Sequence, residues 1–368
     1  MASKFAKIFL LKSLKILNKV KEGIVTKKVL DWECITQPLK ESPNDSFTVH
    51  KPTIEEYKLT YVHENKVKTV YDWWYSGVLK DPEGNLYFLV LVFHPKWSFF
   101  RIVRVDKSDG EENLWALPRS VVAGSSIYER MGYSERENEI EIWARKTGTS
   151  GSSETEFARS IIRAGESYLT LKKDNIIVYL TVTSLGLPFW INKGHEAIST
   201  PRGDTMSGFY DICQVRGSLI KDSLKTEIHG VGINEHLMSF TPPTRFWKRV
   251  DGIFICSDQL YCAFIYLENK VGARQYEYKD GAVFLRSTDD YLIPLDFKIE
   301  YLEFDELKKV PIKIRIIAYT KKGELNLVAQ AACEIEKQLA LRIVEGQFEF
   351  KEGKRLELTN GYGQHALH

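Results

Sequence analysis

The chain has 368 residues, 43% hydrophobic and 27% charged, with a net charge of +2. That is ordinary for a soluble globular protein and long enough for two domains or one large β-domain. The near-neutral balance gives no footing for a nucleic-acid partner.

The first segment, KFAKIFLLKSLKILNKVK, reads as a basic amphipathic helix within residues 1–30. Phe5, Phe9, Leu10, Ile16, Leu17 and Val20 share one broad face, and Lys4, Lys7, Lys12, Lys15 and Lys19 crowd the other. Residues 4–21 therefore suit an anionic membrane surface, the alternative being a helix packed on the body of the protein. Its lysines interrupt the apolar run too early for a secretory signal. The longest apolar run, Leu86–Phe93, is far short of the ~20 residues a membrane helix needs. The expected location is the cytoplasm, with contact at the membrane surface through the N-terminus.

From about residue 55 the pattern becomes strand, turn, strand. Val70–Lys80 and Leu86–His94 flank DPEGN, where Pro82 suits the first central position of a type I turn. Ser167–Leu171 and Ile176–Val182 flank KKDN, and Gly252–Cys256 and Leu260–Leu267 flank SDQ. Gln275–Tyr278 and Ala282–Arg286 flank KDG; Ile312–Tyr319 and Leu325–Ala331 flank KKGE; Gly346–Phe350 and Arg355–Leu358 flank KEGK. Gly, Asn and Asp in the turns and Val, Ile, Tyr and Phe in the strands fit antiparallel hairpins. Two short helices are expected, at Glu154–Arg163 and Asp305–Lys309, and two polar loops, at 146–154 and 195–207. Regular hairpins argue for sheets closed into barrels or sandwiches. The reading is all-β, with one barrel over 31–215 and a second over 216–368.

Five scattered cysteines, Cys34, Cys213, Cys256, Cys262 and Cys333, lack zinc spacing and read as buried thiols. Cys256 and Cys262 flank a turn, so a disulfide between them is the alternative. No cofactor or metal motif is present; His229, Glu235 and His236 match no ligand spacing.

Two stretches carry candidate chemistry. Asp72-Trp73-Trp74-Tyr75 sets Trp73 and Tyr75 on one face of a strand and Trp74 on the other. Such a cluster is either plain core or the wall of an apolar pocket. GVGINEHLMSF, 230–240, is an apolar strand with Glu235 and His236 at its centre. Buried charges need partners, and a buried carboxyl raises its pKa and becomes a usable acid. The bland alternative is a structural carboxylate bonded to an arginine or a backbone amide. In a regular strand Glu235 faces with Ile233 and Leu237, and His236 with Asn234 and Met238. Both enter one pocket only if a bulge, permitted by Gly230 or Gly232, re-aims them.

Three separated segments are similar to the carotenoid 1,2-hydratase/AttH-like superfamily: Trp73–Leu79 with Asp81 and Gly84; Gly230–His236; and Glu345-Gly346 with Gly353, Leu356–Thr359 and Gly361-Tyr362. The resemblance implies two lipocalin-like barrels in tandem. It also implies an enzyme that hydrates or cyclises isoprenoid or polyene chains, with Diels–Alderase relatives. Glu235 stands where the family carries a proton-donating Asp, and His236 keeps the family's His. Ile233, Leu237 and Met238 depart from Trp, Glu and Trp in that motif. The expected catalytic pair is Glu235 and His236. Trp73, Trp74, Tyr75, Tyr210, Asn234, Met238 and Trp247 are expected to line the site of a hydrophobic small molecule. The alternative function is a non-catalytic carrier or sensor of an apolar ligand.

Overall fold

The computed structural model describes residues 49–57, 70–94, 97–106, 110–117, 129–147, 154–173, 175–191, 198–199, 205–239, 249–271, 274–335 and 338–367. The helix expected within residues 1–30, most of the 146–154 loop and Trp247 lie outside them.

The first sheet holds β1 (Val70–Lys80), β2 (Leu86–His94), β3 (Trp97–Asp106), β4 (Gly110–Leu117), β5 (Glu129–Arg136), β6 (Glu139–Thr147), β7 (Glu154–Arg163), β8 (Glu166–Lys173), β9 (Ile176–Ser184), β10 (Phe189–Trp190), β11 (Ile198–Ser199), β12 (Thr205–Lys221) and β13 (Leu224–Ser239). Its order is β4-β3-β2-β1-β13-β12-β9-β8-β7-β6-β5, with β10 and β11 beside β12. The second holds β14 (Arg249–Cys256), β15 (Leu260–Val271), β16 (Arg274–Leu285), β17 (Asp290–Leu292), β18 (Asp296–Asp305), β19 (Val310–Tyr319), β20 (Gly323–Ile335), β21 (Gln338–Phe350), β22 (Arg355–Glu357) and β23 (Tyr362–Leu367). Its order is β17-β16-β15-β14-β23-β21-β20-β19-β18, with β22 on β21. Each sheet curls around its own core. Phe100 on β3 meets Phe157 on β7, and Phe264 on β15 meets Phe297 on β18. The architecture is all-β: two lipocalin-like antiparallel barrels in tandem.

Turn chemistry sets the register. Gly84 N–H bonds Asp81 O at 3.0 Å around Pro82, and Gly84 takes φ 84°. The Asp81 carboxylate accepts from Asn85 N, Asn85 Nδ2 and Tyr87 Oη. Burial alone would raise its pKa, but these donors outweigh it and lower it.

Several expectations are corrected. The sheets part between Ser239 and Arg249, not at 215/216, because β12 and β13 form a long hairpin whose second strand pairs β1 from Val70 to Lys80. Glu154–Arg163 is strand β7, not a helix. Ala158, Ser160 and Ile162 are buried at period two, and β6 and β8 flank it. Residues 306–309 form a turn, and Lys309 has φ 57°. The KDG stretch is no turn either; β16 runs through it, and a Cβ at Gly281 would press on Ala263 O and the Phe264 ring at 2.8 Å. The loop expected at 195–207 is interrupted by β11 and by the start of β12. Cys256 packs in the cluster between the barrels, whereas Cys262 sits inside the second barrel. Opposite faces prevent a disulfide, and both thiols are free.

The barrels meet through the outer faces of β1, β12 and β13. Phe189, Tyr210, Ile212 and Ile233 pack there against Val250, Phe254, Tyr261 and Phe284. A buried polar chain crosses the same seam: Ser76 Oγ bonds Gln364 Oε1, and Gln364 Nε2 donates to Gln338 Oε1 at 2.5 Å. Such bonds contribute about 1 kcal/mol net but cost more when one partner is lost, so they fix how the barrels seat.

Candidate functional site between the barrels

Strand β13 pairs β1 and β12 along its length with no register shift. Its alternation is therefore regular, and neighbouring side chains go to opposite chambers. Gly230 and Gly232 do not mark a bulge. They let strands approach: a Cβ at Gly232 would meet Ser76 O, and one at Gly230 would meet Val78 O.

Cross-strand partners make three rows. Trp74, Glu235 and Tyr210 are adjacent on β1, β13 and β12, on the face turned to the second barrel. Trp73, His236 and Phe209 form the row on one side of it, and Tyr75, Asn234 and Asp211 the row on the other, both on the inner face. So the expected residues divide. Glu235, Trp74 and Tyr210 come together in the seam. His236, Asn234, Trp73 and Tyr75 point into the first barrel, away from Glu235. The pairing of Glu235 with His236, Trp73 and Tyr75 in one pocket is thereby corrected. Met238 pairs Tyr71 and Ser207 in the backbone register.

In the seam, Glu235 is only 7% exposed. Tyr210 stacks at 4.6 Å from Phe254 and 6.0 Å from Phe189. Burial, then the Glu235 charge, pushes its phenol well above the ordinary tyrosine value, so it stays a neutral donor. Trp74 packs against the cluster that joins Val78 and Phe88 to Ile335 and Ala340. Its indole N–H has no hydrogen-bond partner among the described residues. The next row on this face, Ser76, Ile233 and Ile212, borders a cavity of about 20 Å³ closed by Phe254, Cys256 and Gln364. That is room for one water.

The inner rows form a separate polar island. His236 lies between Trp73, at 5.3 Å, and Tyr57, at 5.9 Å. Tyr57 arrives on a short 3-10 turn, Glu55–Tyr57. Glu56 ties that turn down, its Oε2 accepting from Thr53 N at 2.7 Å and from Thr53 Oγ1 at 3.0 Å. Asn234 Nδ2 donates to Tyr57 Oη at 3.2 Å, and Trp73 Nε1 to Tyr57 O at 3.2 Å. Tyr75 Oη bonds Ser160 Oγ at 2.9 Å; burial pushes its phenol up to about 12 against the pull of the serines.

Sequence reasoning missed Asp211. It is 1% exposed and accepts from Ser184 Oγ at 2.8 Å. Burial pushes its carboxyl up to about 7, against the lowering effects of Ser184 and Lys51. The signal that marked Glu235, a carboxylate inside an apolar run, also marks Asp211 in GFYDIC and Asp251 in RVDGIFIC.

No family model and no curated protein matches the sequence. Solved structures do match. CghA aligns at 11% identity over 90% of this chain and 96% of its own, with a TM-score of 0.56. CghA with Sch210972 aligns over the same shares with a TM-score of 0.54. Kievitone hydratase from Nectria haematococca aligns at 12% identity over 89% and 95%, with a TM-score of 0.48. An AttH protein from Nitrosomonas europaea aligns at 11% over 83% and 98%, with a TM-score of 0.45. The likeness to CghA extends to the whole two-barrel fold.

Proposed function

We propose that this chain is an enzyme that hydrates or cyclises a hydrophobic isoprenoid or polyene substrate in the seam between its barrels, with Glu235 as proton donor. One observation carries the reading: the row Trp74–Glu235–Tyr210 sets a nearly buried carboxyl between two aromatic residues on the face turned to the second barrel. A likeness of fold to CghA, solved with Sch210972, supports a small-molecule role for this architecture.

The Glu235 carboxyl gives its proton to one carbon of a C=C bond, leaving a carbocation on the other. The faces of Trp74 and Tyr210 attract that charge. In hydration, a water adds its oxygen to the cation and returns a proton to the Glu235 carboxylate. In cyclisation, a second C=C bond supplies the electron pair, and a neighbouring carbon then loses its proton to the Glu235 carboxylate, which restores both the alkene and the acid. The Trp74 N–H is a donor for an oxygen on the substrate. His236, Trp73, Tyr75 and Asn234 support the wall from behind.

The test compares wild type with Glu235→Gln on a nonpolar lipid extract of the source organism, read by mass spectrometry. A species heavier by one water, or an isomer with new retention, formed by wild type alone is the expected result. If both proteins hold the same lipid and neither converts it, the chain is a carrier and the acid role falls.

A further inference from the structure

An indole nitrogen only donates, and a buried donor that lacks an acceptor destabilises the fold. This chain matches two of its buried indoles. Trp73 Nε1 donates to Tyr57 O at 3.2 Å, and Trp190 Nε1 to His50 O at 2.9 Å. Trp74 Nε1, in the seam, is buried too and has no hydrogen-bond partner among the described residues. The indole keeps its N–H at every pH the fold survives, so this donor depends on no titration.

Trp74 stands beside Glu235. The two are directly opposed on β1 and β13 and share the face turned to the second barrel, which puts their Cβ atoms about 5 Å apart. An acceptor that meets the Trp74 N–H therefore lies close to the carboxyl as well. Two contacts show how the barrels align there. Lys80 Nζ sits 4.3 Å from the Tyr362 ring centre, and Ser76 Oγ bonds Gln364 Oε1. Strands β1 and β23 thus cross the seam in opposite directions, and the line from Ser76 and Gln364 continues to Trp74 and Ala366. Ala366 pairs Gly252 on β14, so the wall across from Trp74 carries a methyl group and a hydrogen. One row further along, Ser76, Ile233 and Phe254 border the cavity of about 20 Å³. Small side chains and open space adjoin the unmatched donor.

The surroundings also select the acceptor. Ser76, Gln364 and Gln338 already bond one another, and Tyr210, held neutral by burial, is a further donor. A ligand hydroxyl would add a proton that needs its own acceptor, whereas a carbonyl oxygen only accepts. We propose, on the seam reading above, that the site selects an isoprenoid or polyene bearing a carbonyl, whose oxygen accepts the Trp74 Nε1–H a few carbons from the double bond beside Glu235. A hydrocarbon of the same shape leaves the donor unmatched and binds more weakly.

The test uses geranylacetone, an isoprenoid ketone, with its deoxygenated hydrocarbon as the control. In protein with ¹⁵N-labelled tryptophan, the Trp74 indole signal is the one of eight that Trp74→Phe removes. Geranylacetone should move that signal downfield and saturably, and the hydrocarbon should not. Trp74→Phe keeps an aromatic face but has no N–H. By equilibrium dialysis it should bind geranylacetone at least tenfold more weakly, at the level of the hydrocarbon. Should Trp74→Phe fail to fold, Ala366→Leu takes its place, since filling the opposite wall should cost at least the same tenfold. A Trp74 signal unmoved up to the solubility limit, or equal geranylacetone affinity in the variant, overturns the proposal. If the signal moves but wild type converts no lipid, the carbonyl site stands and only the acid role of Glu235 falls.

Discussion

Replacing Asp211 with asparagine should change how stability depends on pH, because burial holds its carboxyl above the ordinary aspartate value. In the fold this carboxyl sits near 7, against an ordinary aspartate value of 3.8, because burial inside the first barrel disfavours its charge. That gap of roughly three pH units corresponds to about 4 kcal/mol. The sign follows from proton counting. Between pH 4 and 7 the folded chain keeps a proton on Asp211 that the unfolded chain has lost. Rising pH therefore favours unfolding, and the full penalty is present above about 7. The side chain of Asp211→Asn cannot ionise and still offers an oxygen to Ser184 Oγ. Urea unfolding of both proteins from pH 4.5 to 8.5 isolates the effect, since every other group cancels in the difference. The asparagine variant should gain about 3–4 kcal/mol relative to wild type across that window. A difference flat with pH would refute the reasoning. It would show that Lys51 and Ser184 compensate the buried charge, and Asp211 would then be ionised throughout.

Two further outcomes follow from packing and charge. Gly230→Ala places a Cβ against Val78 O and 2.8 Å from Leu79 Cα, both backbone atoms of β1 that cannot swing aside; chemical denaturation should show a loss of roughly 1–3 kcal/mol. Arg249→Met removes a cation from fully buried Asp251, at a cost of about 3 kcal/mol. Burial would raise the Asp251 pKa, but His365, Arg249 and Tyr301 outweigh it and hold it low. Its stabilisation is therefore present above the ordinary aspartate pKa and lost as pH falls, so the variant's acid-unfolding midpoint should move upward.

Local chemistry made most of the fold legible. DPEGN could only be a turn, because Pro82 and Gly84 satisfy its two special dihedrals. Where reading failed, a partner strand decided. KDG in β16 has turn residues, yet β15 pairs it from Leu260 to Val271 and Gly281 serves close contact instead. ETEFARSIIR mixes Glu, Ala and Arg with Thr, Phe and Ile, so local preference does not decide it, and two flanking strands hold it extended. The domain boundary failed for the same reason: nothing local says that β13 returns to pair β1, far earlier in the chain. Propensity describes a segment alone, whereas pairing depends on which segments meet.

The site shows a sharper version of that limit. Alternation alone said that Glu235 and His236 serve different faces, and the unbroken register of β13 makes that so. What the sequence could not contain is which face meets what. The inner face closes over Tyr57 and the Asp211 island; the outer face receives a second barrel. A strand at the junction of two barrels has no solvent side, so it carries polar groups on both faces at once. That is why GVGINEHLMSF looks anomalous for a half-buried strand. It also explains why Trp73 and Trp74 are adjacent: each closes a different chamber, one over His236 and one beside Glu235. The two chambers are separable by experiment for the same reason. Substitutions at Glu235, Trp74 and Tyr210 should act on the substrate, and those at Asp211 and Tyr57 on stability, although the two sets share the same three strands.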